Sequence, residues 1–250
     1  MACMQRKEDE EVVDKCWVEE ELPDELLSYT FELLPKDMVA IAARTCKRWY
    51  SCCPEQLRSK LSVSGACSSM SLLRWSLQNG YRLGENSSVA AAANGQLEVL
   101  RWLFSWPYCP YDATLVCFAA ATHGHLKVLK WLRQRHICRK NTSTGWMAEA
   151  ARHGHLEILQ WARAEGFPWP SQHGLPLCAI AAASRGHLEV LKWLRRNRCP
   201  WDHWTCHQAA AGGHLEVLQW AVENGCPWDK ASCHNVAVLR GHTEVARWLG

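Results

Sequence analysis

A nine-residue motif, GHLEVLKWL from Gly186 to Leu194, occurs six times in this 250-residue chain with small changes. The other five copies begin at Gly95, Gly124, Gly154, Gly213 and Gly241, so the spacing is 27 to 32 residues. A Trp follows each Gly after seven positions, and a weaker copy with Ser68 and Trp75 in these places precedes them. Self-similarity at such a period is typical of proteins built by stacking one small structural unit.

The motif and the residues before it predict two helices in each repeat. Apolar residues within the motif recur at helical spacing, at Leu188, Val190, Leu191, Trp193 and Leu194. Alanine pairs upstream of the motif favour a first helix and allow the backbone of a neighbouring helix to approach closely. These pairs are Ala91–Ala92, Ala120–Ala121, Ala150–Ala151, Ala182–Ala183 and Ala209–Ala210. The Gly between the two helices suits a turn with positive φ. Neither helix can bury its apolar face alone, so we predict an all-α stack of helix pairs.

This pattern resembles the ankyrin repeat over about seven units in residues 67–250, the first of them degraded. The resemblance implies an all-α, ankyrin-type helical repeat solenoid. Most units are shorter than the familiar 33 residues, and the shortening falls in connections such as CPWDHWT from Cys199 to Thr205. We therefore do not expect a full β-hairpin between units, and we predict that SQHGLP, from Ser171 to Pro176, bulges as a longer loop.

Residues 22–53, which contain LPDELLSYTFELLPKDM, resemble the F-box, with Thr30 and Thr45 as departures from its usual pattern. The resemblance implies a small three-helix segment that docks on a Skp-type adaptor of a cullin-RING ubiquitin ligase. The apolar residues expected to bind this adaptor are Leu22, Pro23, Leu26, Leu27, Phe31 and Met38. The alternative is a helical cap that only closes the end of the stack. Residues 1–21 are predicted to be a disordered acidic lead, and residues 54–66 a linker.

Positions that differ between repeats are free to contact a partner, whereas shared positions serve the common structure. The two residues before each Gly differ from repeat to repeat, and in ankyrin-like stacks they lie at the lip of the concave face. The predicted target-binding residues are His123, Arg152, His153, Arg185, Trp204 and Arg240. A variable, solvated rim without a partner is the alternative interpretation.

Neither the histidines nor the cysteines of the repeats predict a metal or catalytic site. Five motifs carry His after the Gly, and recurrence in register favours a structural hydrogen bond at the helix–helix turn. The pairs Cys199/Cys206 and Cys226/Cys233 are spaced seven apart, which is wider than most zinc sites use. The sequence has no nucleotide-binding loop, nucleophile elbow or metalloprotease motif. We predict no metal, no cofactor and no enzymatic activity.

Charge and composition narrow the choice of partners. Residues 1–60 hold nine Lys and Arg against thirteen Asp and Glu, and residues 61–250 hold nineteen against twelve. The basic repeats suit an acidic protein target, whereas nucleic-acid binding would need aromatics within a continuous basic stripe. No apolar run is long enough to cross a membrane. Fourteen Cys without a CxxC pair, and a polar N-terminus unlike a secretory signal, predict an intracellular protein of the cytoplasm or nucleus.

These observations predict a substrate receptor of a cullin-RING (SCF-type) ubiquitin ligase. The F-box would hold the adaptor, and the repeats would hold a target protein. The alternative is a plain ankyrin scaffold, or competitive binder, without a link to a ligase.

Overall fold

A computed structural model describes residues 63–78, 83–105, 111–139, 144–172 and 174–250. The chain divides into two compact units, Met1–Arg82 and Leu83–Gly250. The described part of the first unit contains helices α1 (Val63–Ala66) and α2 (Met70–Gln78). The Ser68 hydroxyl donates to the Gly65 carbonyl at 2.8 Å in the turn between them. This is the helix–turn–helix order expected of the degraded first copy.

The second unit consists of six helix pairs, as the repeat pattern predicts. The first helices of the pairs are α3 (Glu85–Ala93), α5 (Ala113–Thr122), α7 (Trp146–Arg152), α9 (Leu177–Ser184), α11 (His203–Ala211) and α13 (Lys230–Leu239). The second helices are α4 (Leu97–Ser105), α6 (Leu126–Gln134), α8 (Leu156–Ala164), α10 (Leu188–Arg196), α12 (Leu215–Glu223) and α14 (Thr243–Leu249). Among the described residues, no helix is both long and apolar enough to span a membrane.

The first helices of neighbouring repeats pack on one another along the unit, and each second helix packs on the first helix of its own repeat. All five predicted alanine pairs are fully buried. An alanine face lets two helix backbones approach closely, because the side chain ends at Cβ. The bulkier second helices bury Val and Leu, such as Val190, Leu191 and Leu194 in α10. The predicted all-α repeat architecture is confirmed.

A histidine joins each repeat to the one before it. The Nε2 nitrogens of His125, His155 and His187 donate to the carbonyls of Ala93, Thr122 and Arg152 at 2.8, 2.9 and 2.9 Å. Later in the stack, His242 donates to the Ala211 carbonyl at 3.0 Å, and His214 bonds to the Ser184 carbonyl. The predicted structural role is confirmed, with one addition: the acceptor lies in the preceding repeat, so the bond links two repeats.

The Gly of each motif has positive φ, between 68° at Gly95 and 80° at Gly124, a conformation that disfavours side chains. In the first five motifs there is a second reason for Gly, because the histidine ring of the next repeat lies over it. A Cβ at Gly95 would come within 2.6 Å of His125 Nδ1, and one at Gly213 within 2.5 Å of His242 Nδ1. Gly and His therefore form one contact shared by successive repeats.

The short connections begin the first helices by N-capping. In the CPYD and CPWD segments, the Asp side chain accepts from backbone N–H groups at the start of the following helix. Asp112 accepts from Thr114 N at 2.7 Å, Asp202 from Trp204 N at 3.1 Å, and Asp229 from Ala231 N at 3.0 Å. These caps explain why the connections can be so short.

The longest connection between repeats, which precedes α9, differs from the loop that the sequence predicts. Strand β1 (Ser171–Gln172) pairs antiparallel with β2 (Leu175–Pro176), so the predicted longer loop is a small β-hairpin. Gly174, with φ of 81°, lies in its turn. This repeat has enough residues to close a hairpin, whereas the described parts of the shorter connections show no strand pairing.

The tryptophans of the last three repeats share one environment. Trp193, Trp220 and Trp248 contact Trp169, Trp201 and Trp228 of the preceding connections, with ring centroids 6.0, 5.8 and 6.2 Å apart. Earlier in the stack, Trp131 packs edge-on against Phe104, and Trp161 packs against Trp146 and Phe167. The repeated Trp therefore contacts other aromatic side chains in α6, α8, α10, α12 and α14.

Two glycines allow the contribution of the contact between Gly and His to the free energy of unfolding to be measured. Gly213 and Gly225 both have positive φ, 76° and 79°, but only Gly213 would bring a Cβ against His242. Alanine costs backbone strain of about 1 kcal/mol at both sites. We expect Gly213→Ala to lower the free energy of unfolding by about 1–3 kcal/mol more than Gly225→Ala, because of overpacking. Urea unfolding followed by circular dichroism measures both, and equal losses would contradict the contact.

The environment of His214 predicts a pH dependence of stability. Burial lowers the pKa of His214 below its ordinary 6.5, outweighing the opposing effect of its bond to the Ser184 carbonyl. Since the folded pKa lies below the unfolded one, the unfolded chain binds more protons as the pH falls through 6.5. Stability is thus present above this pH and lost below it. We expect His214→Gln to reduce the slope of unfolding free energy against pH between about 7 and 5.5. An unchanged slope would show that His214 does not contribute to the pH dependence of stability.

Candidate functional site

The predicted target-binding residues, except Trp204, lie where the first helices end. His123, His153, Arg185 and Arg240 are the C-cap residues of α5, α7, α9 and α13. All four are exposed, and Arg152, the last residue of α7, is half-buried. The tight turn at each following Gly ends the helix at this point. We call these five residues the turn edge.

A charged cluster occupies the middle of the turn edge. Arg152 Nε lies 3.3 Å from a Glu149 carboxylate oxygen, and His153 Nε2 lies 3.9 Å from the other. Burial lowers the pKa of His153, and Arg185 lowers it further, although Glu149 opposes them. His153 is therefore neutral at pH 7, and the net positive charge of this cluster resides on the arginines.

Two of the edge histidines are held in place by a second histidine. His123 stacks on His125 with ring centroids 6.4 Å apart, and His153 stacks on His155 at 6.3 Å. His123 Nδ1 also bonds to the Ala119 carbonyl at 3.0 Å. At these two turns, the histidines that couple the repeats thus lie parallel to the edge histidines.

Trp204 lies near the start of α11, at the opposite end of a first helix from the turn edge. Its ring contacts His203 at 5.3 Å and His207 at 5.1 Å, and it is 40% exposed. His207 has a pKa lowered by burial first and then by the charges of His203 and Arg240. His207 therefore lies between Trp204 and the turn edge. His207 is not among the target-binding residues predicted from the sequence, although its i+3 spacing from Trp204 was a usable signal.

Exposed apolar side chains accompany these polar groups. Leu239 is 85% exposed immediately before Arg240, and Tyr111 and Leu115 are about half-exposed near the start of α5. Large apolar groups, arginine and aromatic rings are typical of protein–protein contact surfaces. The surface offered by the first helices therefore suits a protein partner.

The described cysteines are buried and free. Cys206 hydrogen-bonds to Cys226 of the following connection, and Cys117 bonds likewise to Cys138. Burial raises the pKa of Cys199 to about 12, so this thiol stays protonated and is a poor nucleophile. Within the described ranges, no group of three or more His, Cys, Asp or Glu is arranged to hold a metal ion. These thiols fill the core between repeats.

The predicted adaptor-binding residues, Leu22, Pro23, Leu26, Leu27, Phe31 and Met38, lie outside the described residues. Their assignment to adaptor binding stays a prediction. So do the boundaries of the acidic lead at 1–21, the F-box-like segment at 22–53, the linker at 54–66 and the repeat region at 67–250.

Family models match two parts of the chain. The model for the F-box-like domain matches residues 20–64, and the model for ankyrin repeats in many copies matches residues 206–249. No curated protein matches the chain. Both families are typically non-enzymatic modules of protein interaction. The chain is therefore a protein-interaction module that combines an F-box-like domain with ankyrin repeats, and the secondary structure of its described residues is helical apart from one two-stranded hairpin.

Proposed function

We propose that this protein is a substrate receptor of a cullin-RING (SCF-type) ubiquitin ligase. In this proposal the F-box-like domain binds a Skp-type adaptor, and the repeats hold a target protein for ubiquitin transfer by other subunits. The observation that carries the proposal is the pairing of an F-box-like domain at residues 20–64 with a repeat stack in the same chain. An F-box without a recognition surface would bring nothing to a ligase, and the stack supplies such a surface.

The adaptor side of the proposal rests on six apolar residues. Leu22, Pro23, Leu26, Leu27, Phe31 and Met38 all fall inside the segment that matches the F-box-like model. A segment of about 45 residues buries only a small core, so it leaves apolar groups available to a partner. Burial of these groups against the adaptor would drive docking.

The target side rests on the turn edge and Trp204. Arg185 and Arg240 are exposed cations whose charges act on His153 and His207 respectively, and the exposed Leu239 offers an apolar contact. Arginine and tryptophan side chains contribute most to binding energy in many protein interfaces. The excess of cations over carboxylates in residues 61–250 favours an acidic target.

The chain itself would carry out no chemistry and need no cofactor in this role. Ubiquitin transfer would be performed by the ligase subunits that the adaptor recruits. The proposed location is the interior of the cell, in the cytoplasm or the nucleus, where thiol-rich proteins stay reduced.

Adaptor docking can be tested by substitution in the full chain. We expect Leu26→Asp with Phe31→Asp to abolish co-purification with a Skp-type adaptor, because two buried carboxylates would be unpaired. Leu239→Asp is the control, since Leu239 is 85% exposed and lies in the repeats; it should leave adaptor capture unchanged. If the unsubstituted chain captures no adaptor, the proposal fails and the plain scaffold or competitive binder is favoured.

Target binding is tested by charge reversal on the turn edge. We expect Arg185→Glu with Arg240→Glu to lower co-captured target, quantified by mass spectrometry, about tenfold while the adaptor stays bound. The matched control reverses two exposed arginines on second helices, Arg101→Glu with Arg247→Glu. Equal loss of target from both variants would assign binding to overall charge and not to the turn edge.

A further inference from the structure

The second helices form a basic groove that the proposed function does not use. A cavity of about 320 Å³ lies between α10 and α12, lined by Glu189, Lys192, Arg195, Arg196, Trp220 and Asn224. We call it the outer groove. None of its residues belongs to the turn edge or to the predicted adaptor-binding set.

The groove is a consequence of how the repeats pack. Alanine faces bring α9 and α11 into close contact, whereas bulky residues such as Trp220 fill the layer of second helices. The rings of Trp220 and Trp201 are 5.8 Å apart, and the Arg195 guanidinium lies over Trp201 at 4.5 Å. These contacts fix the floor of the groove and hold Arg195 beside it.

The charges of the groove are only partly compensated. Lys192 Nζ bonds to Glu189 Oε1 at 2.7 Å, and this bond lowers the pKa of Glu189. The single carboxylate of the lining is therefore paired. Arg195 and Arg196 have no carboxylate within ion-pair distance in the described part of the chain, and both are exposed.

Comparison among the repeats shows which part of this arrangement is local. An Arg over a Trp and an Asn bonded to a Trp carbonyl recur one repeat earlier, at Arg163 with Trp169 and at Asn197 with Trp193. The position of Arg196 is Ser105, Gln134, Ala164 or Glu223 in the other second helices that extend this far. The position of Asn224 is Glu165 in the groove between α6 and α8, where Glu165 pairs with Arg133 at 3.5 Å. Among these helices the second arginine therefore occurs only in α10, and the outer groove has no carboxylate at the position of Asn224.

We propose that the outer groove binds a short acidic peptide segment of a protein partner. Two carboxylates of the peptide would meet Arg195 and Arg196 in charge-assisted hydrogen bonds, and an apolar side chain between them would cover the half-buried Trp220. The Asn224 side chain is tied to the Trp220 carbonyl at 2.8 Å, so the edge of the groove is ordered before binding. This site is additional to target binding at the turn edge, and it does not depend on the ligase role.

An acidic peptide fits the groove better than nucleic acid does. The cations form one patch on α10, at Lys192, Arg195 and Arg196. A phosphate backbone would need a continuous basic path, with bases stacked on successive aromatic rings. A short peptide needs only the cationic patch.

The test measures fluorescence anisotropy of a fluorescein-labelled peptide, Glu-Glu-Leu-Glu-Glu, with the full chain at low and physiological salt. We expect Arg195→Gln with Arg196→Gln to weaken binding about three- to tenfold. We expect Asn224→Glu to weaken it similarly, because the new carboxylate would pair with Arg195 as Glu165 pairs with Arg133. Because Arg195 also stacks on Trp201, urea unfolding checks each variant, and Asn224→Glu retains that stacking.

The control removes two charges elsewhere on the second helices. Lys127→Gln with Lys130→Gln should change the affinity by less than about twofold. Lys-Lys-Leu-Lys-Lys and labelled oligothymidylate serve as probes of opposite charge and of nucleic acid. The proposal is overturned if the acidic peptide does not bind, if both double variants weaken it equally, or if only the oligonucleotide responds to the groove substitutions. Adaptor capture is read separately, so a failed ligase proposal and a failed groove are distinguishable.

Discussion

The hydrogen bond from each motif histidine to a carbonyl of the preceding repeat is the contact on which the stack depends. A helix carbonyl at the end of a first helix lacks an intrahelical partner, and the next repeat supplies one through its imidazole. The bond is possible only because the residue two positions after that carbonyl is Gly, and the histidine ring lies over it. At Gly186 a Cβ would be 2.6 Å from His214 Nδ1. Gly and His therefore act as a pair distributed over two repeats, and a change at either one weakens the coupling between neighbours.

This coupling has consequences on both sides of the stack. On the first helices, it places His125 and His155 beside His123 and His153, which helps to position these two edge residues before any partner binds. Preorganisation reduces the entropy cost of association. On the second helices, close contact of the alanine faces leaves the bulkier layer with grooves between neighbours, and the charge of each groove depends on a few residues. Arg133 is paired with Glu165, whereas Arg195 lies over Trp201 and has no ion pair with a carboxylate among the described residues.

One architecture can thus present two surfaces, one on the first helices and one on the second helices. The described thiols are buried between repeats, where Cys206 hydrogen-bonds to Cys226. In the proposed function, the F-box-like domain at residues 20–64 would add a means of recruitment to the repeats. Such a division suits a protein that brings other molecules together, because each contact surface can change while the shared Gly, His and Trp positions maintain the stack.

The repeat period, the helix pairs, the glycine turns and the structural role of the histidines were determined by the sequence, because each is a local property that recurs in register. The pattern of residues 22–53 likewise indicated the F-box, which the family model matches. Only the tertiary structure decided which groups meet across repeats: His242 with the Ala211 carbonyl, Trp220 with Trp201, and Cys206 with Cys226 rather than with its nearer neighbour Cys199. These contacts depend on the offset between stacked repeats. That offset follows from how closely the alanine faces pack, and spacing along the chain does not encode it.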